Sequence, residues 1–511
     1  MSTFNFVTAE YAVEWLKGAM ETAYKAVKMP NATDSLQRLC SRFRTAKYMA
    51  TLEGLYGDIL TRIFEGDGHI FRVDFERNTM FVYNGRYYDE VSSPKEFLHT
   101  MLEMSLMKLD VNALVRDKIA RDRSAFIWRM LTFGDRLAYR PLRRYVAFNN
   151  GIFDLREGKL RDFHTRYVPE LVLDIDYVDA STHFSDCEKK YGREKNPCRL
   201  WDKFIGLKEG EGVIPNVQMR EAFQSFVGAM LINRDEYKIE KFCILHGPGR
   251  NGKSVLVDAV KGVFGDSYFT GFTPKELCGE TTASQSKRYE VNGKLMNVTG
   301  DLDNSDFSGG FFKRIISFDK DIMGKALYSN DYVKVRFPLM MCCANSIPDT
   351  SDDSIAYYER LLPIASTTKV WTEKDQDTSL TDKLMTSDAR IYIFNWIYEG
   401  YKRVIKNKGV IPLGDDIRTA MTNIKKTSSS MRRWFNEECP FRVPRSDEEG
   451  VWLPASDFTQ HYDRFCVYYN EKRETNKAFG AMLKDEGFKK KMLHGHTHYY
   501  CLRREEADYD A

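Results

Sequence analysis

Phe242-Cys-Ile-Leu245, followed by Gly247-Pro-Gly-Arg-Asn-Gly-Lys-Ser254 and then Val255-Leu-Val-Asp-Ala-Val260, is the stretch that decides the fold. A short apolar run of strand length leads into a glycine turn, and the apolar spacing behind the turn is helical. The turn matches the phosphate-binding pattern G-x-x-x-x-G-K-[ST] without a gap. A strand, a glycine turn and a helix N-terminus suit a nucleoside triphosphate, because main-chain N–H groups converge there and the helix dipole favours negative charge. The expected cradle runs from Gly247 through Pro248, Gly249, Arg250, Asn251 and Gly252 to Lys253, Ser254 and Val255. Lys253 is expected to reach the β- and γ-phosphates of ATP, and Ser254 to hold Mg²⁺.

Downstream, three segments read as the rest of a hydrolytic site. The apolar strand Lys294-Leu-Met-Asn-Val-Thr299 ends in Gly300-Asp301-Leu-Asp303. A carboxylate at such a tip can hold Mg²⁺ through water and orient the attacking water, with Asp301 the first choice and Asp303 the alternative. A third strand, Pro338-Leu-Met-Met-Cys-Cys-Ala344, ends at Asn345, whose amide can contact the γ-phosphate or that water. An acidic loop with Asp349, Asp352 and Asp353 then leads to Tyr357-Tyr-Glu-Arg-Leu361. Arg360 is expected to act as a finger on a neighbouring subunit's nucleotide, an effect worth roughly 10³–10⁵ in rate; its structural alternative is a plain ion pair. Between the second and third strands, Phe318–Tyr328 and Ser329–Phe337 read as a β-hairpin carrying Lys320, Lys325, Lys334 and Arg336. Such a hairpin either grips phosphates of single-stranded nucleic acid or is an edge guarded by lysines.

The 511 residues leave room for about three or four domains. Net charge is only +3, so binding to nucleic acid requires local basic patches. The 10 cysteines include no C-x-x-C pair, and the start Met-Ser-Thr-Phe-Asn-Phe has neither a basic head nor an apolar run. Reduced thiols and a cytoplasmic protein without a membrane span are expected. The periodicity predicts helices over 8–66, a strand pair over 69–76 and 80–88, and helices at about 94–136. It also predicts a β segment at 145–154 turning at Asn150-Gly151, and a strand over 171–179. The polar stretch 180–200 reads as a loop, 201–232 as a helical collar and 425–430 as a linker. The last segment, 431–505, has helix–turn–helix–strand character. Within it, Lys489-Lys-Lys491 and the alternating His494, His496 and His498 fit either a basic wing on DNA or a solvated hairpin.

Taken together, these segments resemble superfamily 3 helicases, in the branch formed by phage, plasmid and large-DNA-virus primase–helicases. The resemblance is carried by the glycine loop, by Ala147–Arg156, Phe318–Lys325, Ala344–Pro348 and Ile393–Gly400, and by Phe465–Asn470 with Lys477–Lys484. It covers roughly residues 145–490. The sequence differs in having Asp301 where the family often has Glu, and Glu359-Arg360 where it often has paired arginines. The resemblance implies an α/β P-loop NTPase core of AAA+-like type. Around it the expected parts are an α+β N-terminal domain (1–144), a pre-helicase domain and helical collar (145–235), the ATPase core (236–370), a helical segment and linker (371–430) and a winged-helix-like domain (431–511). It implies a homo-oligomer, a hexameric ring, that hydrolyses ATP between subunits and translocates on single-stranded DNA at a fork. Lys253, Asp301, Asn345 and Arg360 would act in catalysis, Ser254, Asp301 and Asp303 on metal, and Lys320, Lys325 and Lys334 on DNA. A primase module is expected to be absent, with a separate primase or initiator as partner. The alternatives are an ATP-dependent initiator or loader that melts origin DNA and, more distantly, a small-molecule kinase.

Overall fold

The computed structural model describes residues 71–504 apart from short stretches, chiefly 76–78, most of 109–141, 301–309, 328–331, 348–354 and 371–376. The helices expected over 8–66, and Asp349, Asp352 and Asp353, lie outside the described residues. The chain divides into two compact units, residues 1–179 and 180–511.

In the first unit, β1 (Phe71–Asp74), β2 (Thr79–Tyr83) and β3 (Tyr88–Val91) form an antiparallel sheet. The β2–β3 turn is the Asn-Gly type: Gly85 has φ 97°, and Asn84 Oδ1 accepts from the main-chain N–H groups of Arg86 (2.9 Å) and Tyr87 (3.0 Å). Helix α1 (Pro94–Lys108) follows. A second sheet, β6-β5-β4-β7, is built from β4 (Leu142–Phe148), β5 (Gly151–Asp154), β6 (Lys159–Arg161) and β7 (Pro169–Val172), with only the β4–β7 pair parallel. At Gly151 (φ 154°) a Cβ would sit 2.6 Å from the Arg161 carbonyl oxygen, so the turn admits no side chain. Asp154 is fully buried; burial alone would raise its pKa, but hydrogen bonds from Arg144 (3.0 and 2.6 Å) hold it below the usual carboxylate value.

The strand expected over 171–179 stops at Val172. Beyond it the chain wraps the β4–β5 turn instead of pairing. Asn149 N–H donates to the Ile175 oxygen (3.0 Å), and the Asn150 side chain brackets Tyr177 through bonds of 2.9 and 2.8 Å.

The second unit opens with α2 (Ala180–Lys195, broken at Gly192 where φ is 72°), α3 (Pro197–Ile205) and α4 (Val217–Gly228). The loop expected at 180–200 is therefore helix. Its polarity is that of a helix whose buried side is only His183 and Cys187, so no apolar stripe shows in the sequence. Asn196 caps α3 through Cys198 N–H (2.8 Å), and Arg199 pairs with Glu188 of α2 at 2.8 Å.

Strands and helices then alternate. The run is β8 (Phe242–His246), α5 (Lys253–Phe264), β9 (Phe269–Thr270), α6 (Pro274–Cys278), α7 (Thr282–Val291), β10 (Met296–Gly300) and α8 (Gly310–Ile316). It continues with β11 (Met323–Lys325), β12 (Tyr332–Lys334), β13 (Leu339–Ala344), α9 (Ile355–Arg360) and β14 (Leu361–Ala365). Five of the strands make a parallel sheet, ordered β14-β8-β13-β10-β9. β8, β13 and β14 are buried almost throughout, as in a parallel sheet covered on both faces. Phe242, Ile244, Phe312, Met340, Cys342 and Leu361 centre its core. The mixed α/β class with a parallel sheet agrees with the sequence reading.

Helices α10 (Leu380–Leu384), α11 (Ser387–Lys406), α12 (Asp415–Thr427) and α13 (Ser430–Glu437) follow. α11 crosses α4 at two glycines: a Cβ on Gly228 would lie 2.2 Å from Tyr401 N, and one on Gly400 1.9 Å from the Gln224 oxygen. The linker expected at 425–430 is mostly helix, since α12 runs to Thr427 and Ser429 already caps α13 by accepting from Arg432 N–H (3.3 Å).

The chain ends with β15 (Phe441–Arg442), β16 (Val451–Pro454), α14 (Ala455–Tyr468), α15 (Asn476–Asp485), β17 (Lys489–Leu493) and β18 (His496–Arg503). β18 pairs with β15, β16 and β17, and Trp434, Phe441, Phe458, Tyr462 and Phe479 fill the core beneath. Among the described residues no helix is long and apolar enough to cross a membrane.

Candidate functional site

Register places three strand tips side by side at the carboxyl edge of the parallel sheet. Ala344 of β13 pairs with His246 of β8, and Gly300 of β10 pairs with Cys343 of β13. Because β13 lies between β8 and β10, Asn345 leaves its strand between the start of the glycine loop and the tip that precedes Asp301. Asn345 is exposed there. Asp301 and Asp303 lie outside the described residues.

The loop is anchored on both sides of β8. Gly247 N–H donates to the Ala344 oxygen (3.2 Å), and across the other edge Ser366 N–H and Oγ both donate to the His246 oxygen (2.7 and 2.8 Å). Asn251, buried within the loop, donates from Nδ2 to Ser366 Oγ (2.7 Å) and the Thr367 oxygen (2.9 Å). Gly247 has φ 148°, and a Cβ there would sit 2.2 Å from Ser366 Oγ. Gly252 has φ 92° and forms the N-cap of α5. Around Gly249 there is open space, and Arg250 takes φ 57°, uncommon for a residue with a side chain.

Lys253 folds back into this loop. Its Nζ donates to the oxygens of Gly247 (2.6 Å) and Pro248 (2.8 Å) and to Asn251 Oδ1 (3.1 Å), which uses all three ammonium donors. The side chain is 8% exposed, and burial lowers its pKa from the ordinary lysine value. Burial, with Lys253 nearby, also lowers His246. A desolvated cation held only by dipolar oxygens is a site that gains from an anion. Ser254 is exposed on the first turn of α5, and Val255 is partly buried behind it.

Arg360 sits elsewhere. It ends α9, and the next residue, Leu361, pairs with Phe242, the first residue of β8. This is the amino edge of the sheet, roughly 13 Å along β8 from His246 at ~3.3 Å per residue. Arg360 donates to Ser317 Oγ from Nε (3.1 Å) and Nη2 (2.9 Å), and lies 3.8 Å from Glu240. The fold thus gathers the glycine loop and Asn345, and holds Arg360 apart from the loop of its own chain. Beside Ser317, a surface hollow is lined by Lys238, Lys313, Arg314, Phe318, Asp319 and Lys320. Of that basic cluster the sequence reading singled out only Lys320; the adjacent Lys313-Arg314 is a further local signal.

β11 and β12 pair antiparallel, Met323 opposite Lys334 and Lys325 opposite Tyr332. The hairpin docks on α7 through Gly324, where a Cβ would sit 2.7 Å from Tyr289 N. Lys325 Nζ lies 5.3 Å from the centre of the exposed Tyr332 ring. Lys334 pairs with Asp321 (3.2 Å), and Lys320 with Asp235 (2.6 Å) near Arg336. In the C-terminal module, Lys489, Lys490 and Lys491 are exposed on β17, and Lys491 Nζ stands 4.2 Å over the Trp452 ring.

Comparison with known proteins gives three findings. Residues 57–208 match a family described as D5 N terminal like, and residues 245–360 match a family of unknown function, DUF5906. An Acanthamoeba polyphaga mimivirus protein described as "putative helicase" is 25% identical over 221 residues, 42% of this chain. The chain spans about a fifth of that relative, 21% of its length. Two solved apo structures of the NrS-1 C-terminal region cover 87% of this chain and 99% or 98% of their own, at 9% identity and a TM-score of 0.39. That likeness is too loose to transfer a fold or an activity.

Proposed function

We propose that this chain is an ATP-hydrolysing DNA helicase of the superfamily 3 type that serves replication of a virus or mobile element. In this reading the parallel sheet is an AAA+-like P-loop core and the C-terminal module is a winged helix. Of the five parts expected from the sequence, the reading keeps the ATPase core at 236–370 and the C-terminal module from 431; the boundary between the compact units falls at residue 179, inside the expected 145–235 part. The observation that carries the reading is the level alignment of three strand tips, with the Lys253 loop on β8 and Asn345 on β13. The D5-like segment and the mimivirus relative described as a helicase support it.

The glycine loop fits a nucleoside triphosphate. Gly247 leaves no room for a side chain, and Lys253 is a buried cation whose oxygen partners phosphate oxygens can replace. Ser254 and Asp301 would hold Mg²⁺, with Asp303 the alternative to Asp301; the ion would neutralise charge on the β- and γ-phosphates. Asn345 would orient the attacking water. Arg360, on the far edge of the sheet, would serve a neighbouring copy's nucleotide, and a ring, a hexamer by family resemblance, would complete the site. Lys320, Lys325 and Lys334 would grip the DNA strand, Lys325 and Lys334 from the hairpin itself.

The second reading, an initiator that binds and melts origin DNA without processive unwinding, is favoured by the exposed lysines of β17. The first test is steady-state ATP hydrolysis with and without forked DNA. The proposal expects DNA-stimulated hydrolysis that Lys253→Ala abolishes. Hydrolysis that is absent, or indifferent to that substitution, overturns it.

A further inference from the structure

We propose that His183, Cys187 and Cys198 form a structural zinc site in the helical layer of the second unit. His183 and Cys187 are four residues apart on α2 and so share one face. Cys198 is the second residue of α3, reached after the break at Gly192. The three side chains are 4%, 2% and 0% exposed, and their ligand atoms lie within 4.8 Å of one another.

A tetrahedral zinc with bonds of ~2.0–2.3 Å keeps its ligand atoms about 3.3–3.8 Å apart. The trio therefore needs to contract by about 1.5 Å at most, within the reach of small side-chain adjustments. Cys187 Sγ already stands 3.5 Å from His183 Nε2. His183 Nε2 also donates to the main-chain oxygen of Asp388 (2.7 Å); to bind zinc this nitrogen gives up that bond, its proton moving to Nδ1, and a water supplies the fourth ligand. The Asp388 carboxylate is engaged elsewhere, accepting from Lys190 Nζ (3.0 Å) and Tyr191 OH (2.5 Å).

The donor set fixes the metal class. Two thiolates and an imidazole select zinc over the hard cations Mg²⁺ and Ca²⁺. Each thiol gives up its proton on binding and the imidazole binds neutral, so one zinc releases two protons to solvent. The spacing H-x3-C-x10-C differs from the C-x-x-C patterns by which zinc sites are read from sequence, which is why the thiols pass there as ordinary reduced cysteines. The ion would tie α2 to α3, and both pack against α11. That helix packs against α4 and against α5, the helix behind the glycine loop.

The test uses the full chain, stripped with chelator and titrated with zinc, with bound metal measured after gel filtration. The proposal expects one zinc per chain and, with Co²⁺ in its place, the intense visible bands of a tetrahedral thiolate site. Both should be lost in the Cys187→Ser/Cys198→Ser double variant. Because that variant can misfold, native-state alkylation of the unaltered chain is mapped by mass spectrometry as well. Zinc should slow labelling of Cys187 and Cys198 about tenfold or more while leaving the partly exposed Cys278 and Cys343 unchanged. No retained zinc, equal retention by the double variant, unaltered labelling, or a Cys187–Cys198 disulfide in place of metal each overturns the proposal.

Discussion

Asn251 does for the glycine loop what no glycine can. Its buried amide ties the loop to Ser366 and Thr367, which follow β14, while its Oδ1 receives Lys253. Asn251→Ala should cost about 1–3 kcal/mol of local stability and raise the KM for ATP by about tenfold, measured by steady-state hydrolysis. Lys241 offers a pH prediction. Burial pulls its pKa down to about 8, the Glu359 carboxylate opposing the shift and Arg418 and Arg360 adding to it. In the unfolded chain the value returns to ~10.4. Between about pH 8 and 10 the folded state has shed this proton and the unfolded state has not, so stability should rise with pH across that window. Lys241→Met should flatten the slope in thermal unfolding followed from pH 7 to 10. At this scale the loop was legible because its order of residues alone spells a glycine turn between a strand and a helix. Asn251's bonds to Ser366 and Thr367 were not, since those partners lie more than a hundred residues away and only sheet pairing brings them together.

Helix crossings and the hairpin carry the predictions at the level of elements. Gly400 lets α11 lie against α4 with no side chain between, so Gly400→Ala should destabilise the second unit by roughly 1–3 kcal/mol and lower its melting temperature by several degrees. Calorimetry checks this. Lys325 and Lys334 stand on opposite strands of the hairpin. If each meets one phosphate, replacing either by Ala should reduce the slope of log affinity against log salt by about 0.7 for single-stranded DNA, read by fluorescence anisotropy. An unchanged slope would mean the lysines only guard an edge. The sheet strands were legible because burial on both faces writes continuous apolar runs. α2 was not: a helix that buries little more than His183 and Cys187 looks like a loop, and α12 hid its last turn in Lys425-Lys-Thr427. Residues 173–179 looked strand-like, but after Leu173, which still bonds β4 at Ala147, the hydrogen bonds of Ile175 and Tyr177 go to the β4–β5 turn.

For the whole molecule, Arg360 stands apart from its own glycine loop, and in the proposed reading that separation makes the assembly part of the chemistry. Mixing Arg360→Ala subunits with Lys253→Ala subunits should restore ATPase activity, because some interfaces then pair an intact loop with an intact arginine. No recovery at any ratio, in oligomers shown to exchange subunits, would place Arg360 in a purely structural role with Ser317 and Glu240. This level was the least legible: one chain's sequence orders the loop, Asn345 and Arg360 along the chain without saying which share an edge of the sheet. Strand order and register supplied that. The central claim, that this site drives strand separation, is tested most directly by displacement of a labelled strand from forked DNA. The account predicts ATP-dependent displacement by the unaltered chain and none by Lys253→Ala. DNA-stimulated ATP hydrolysis without displacement would contradict it.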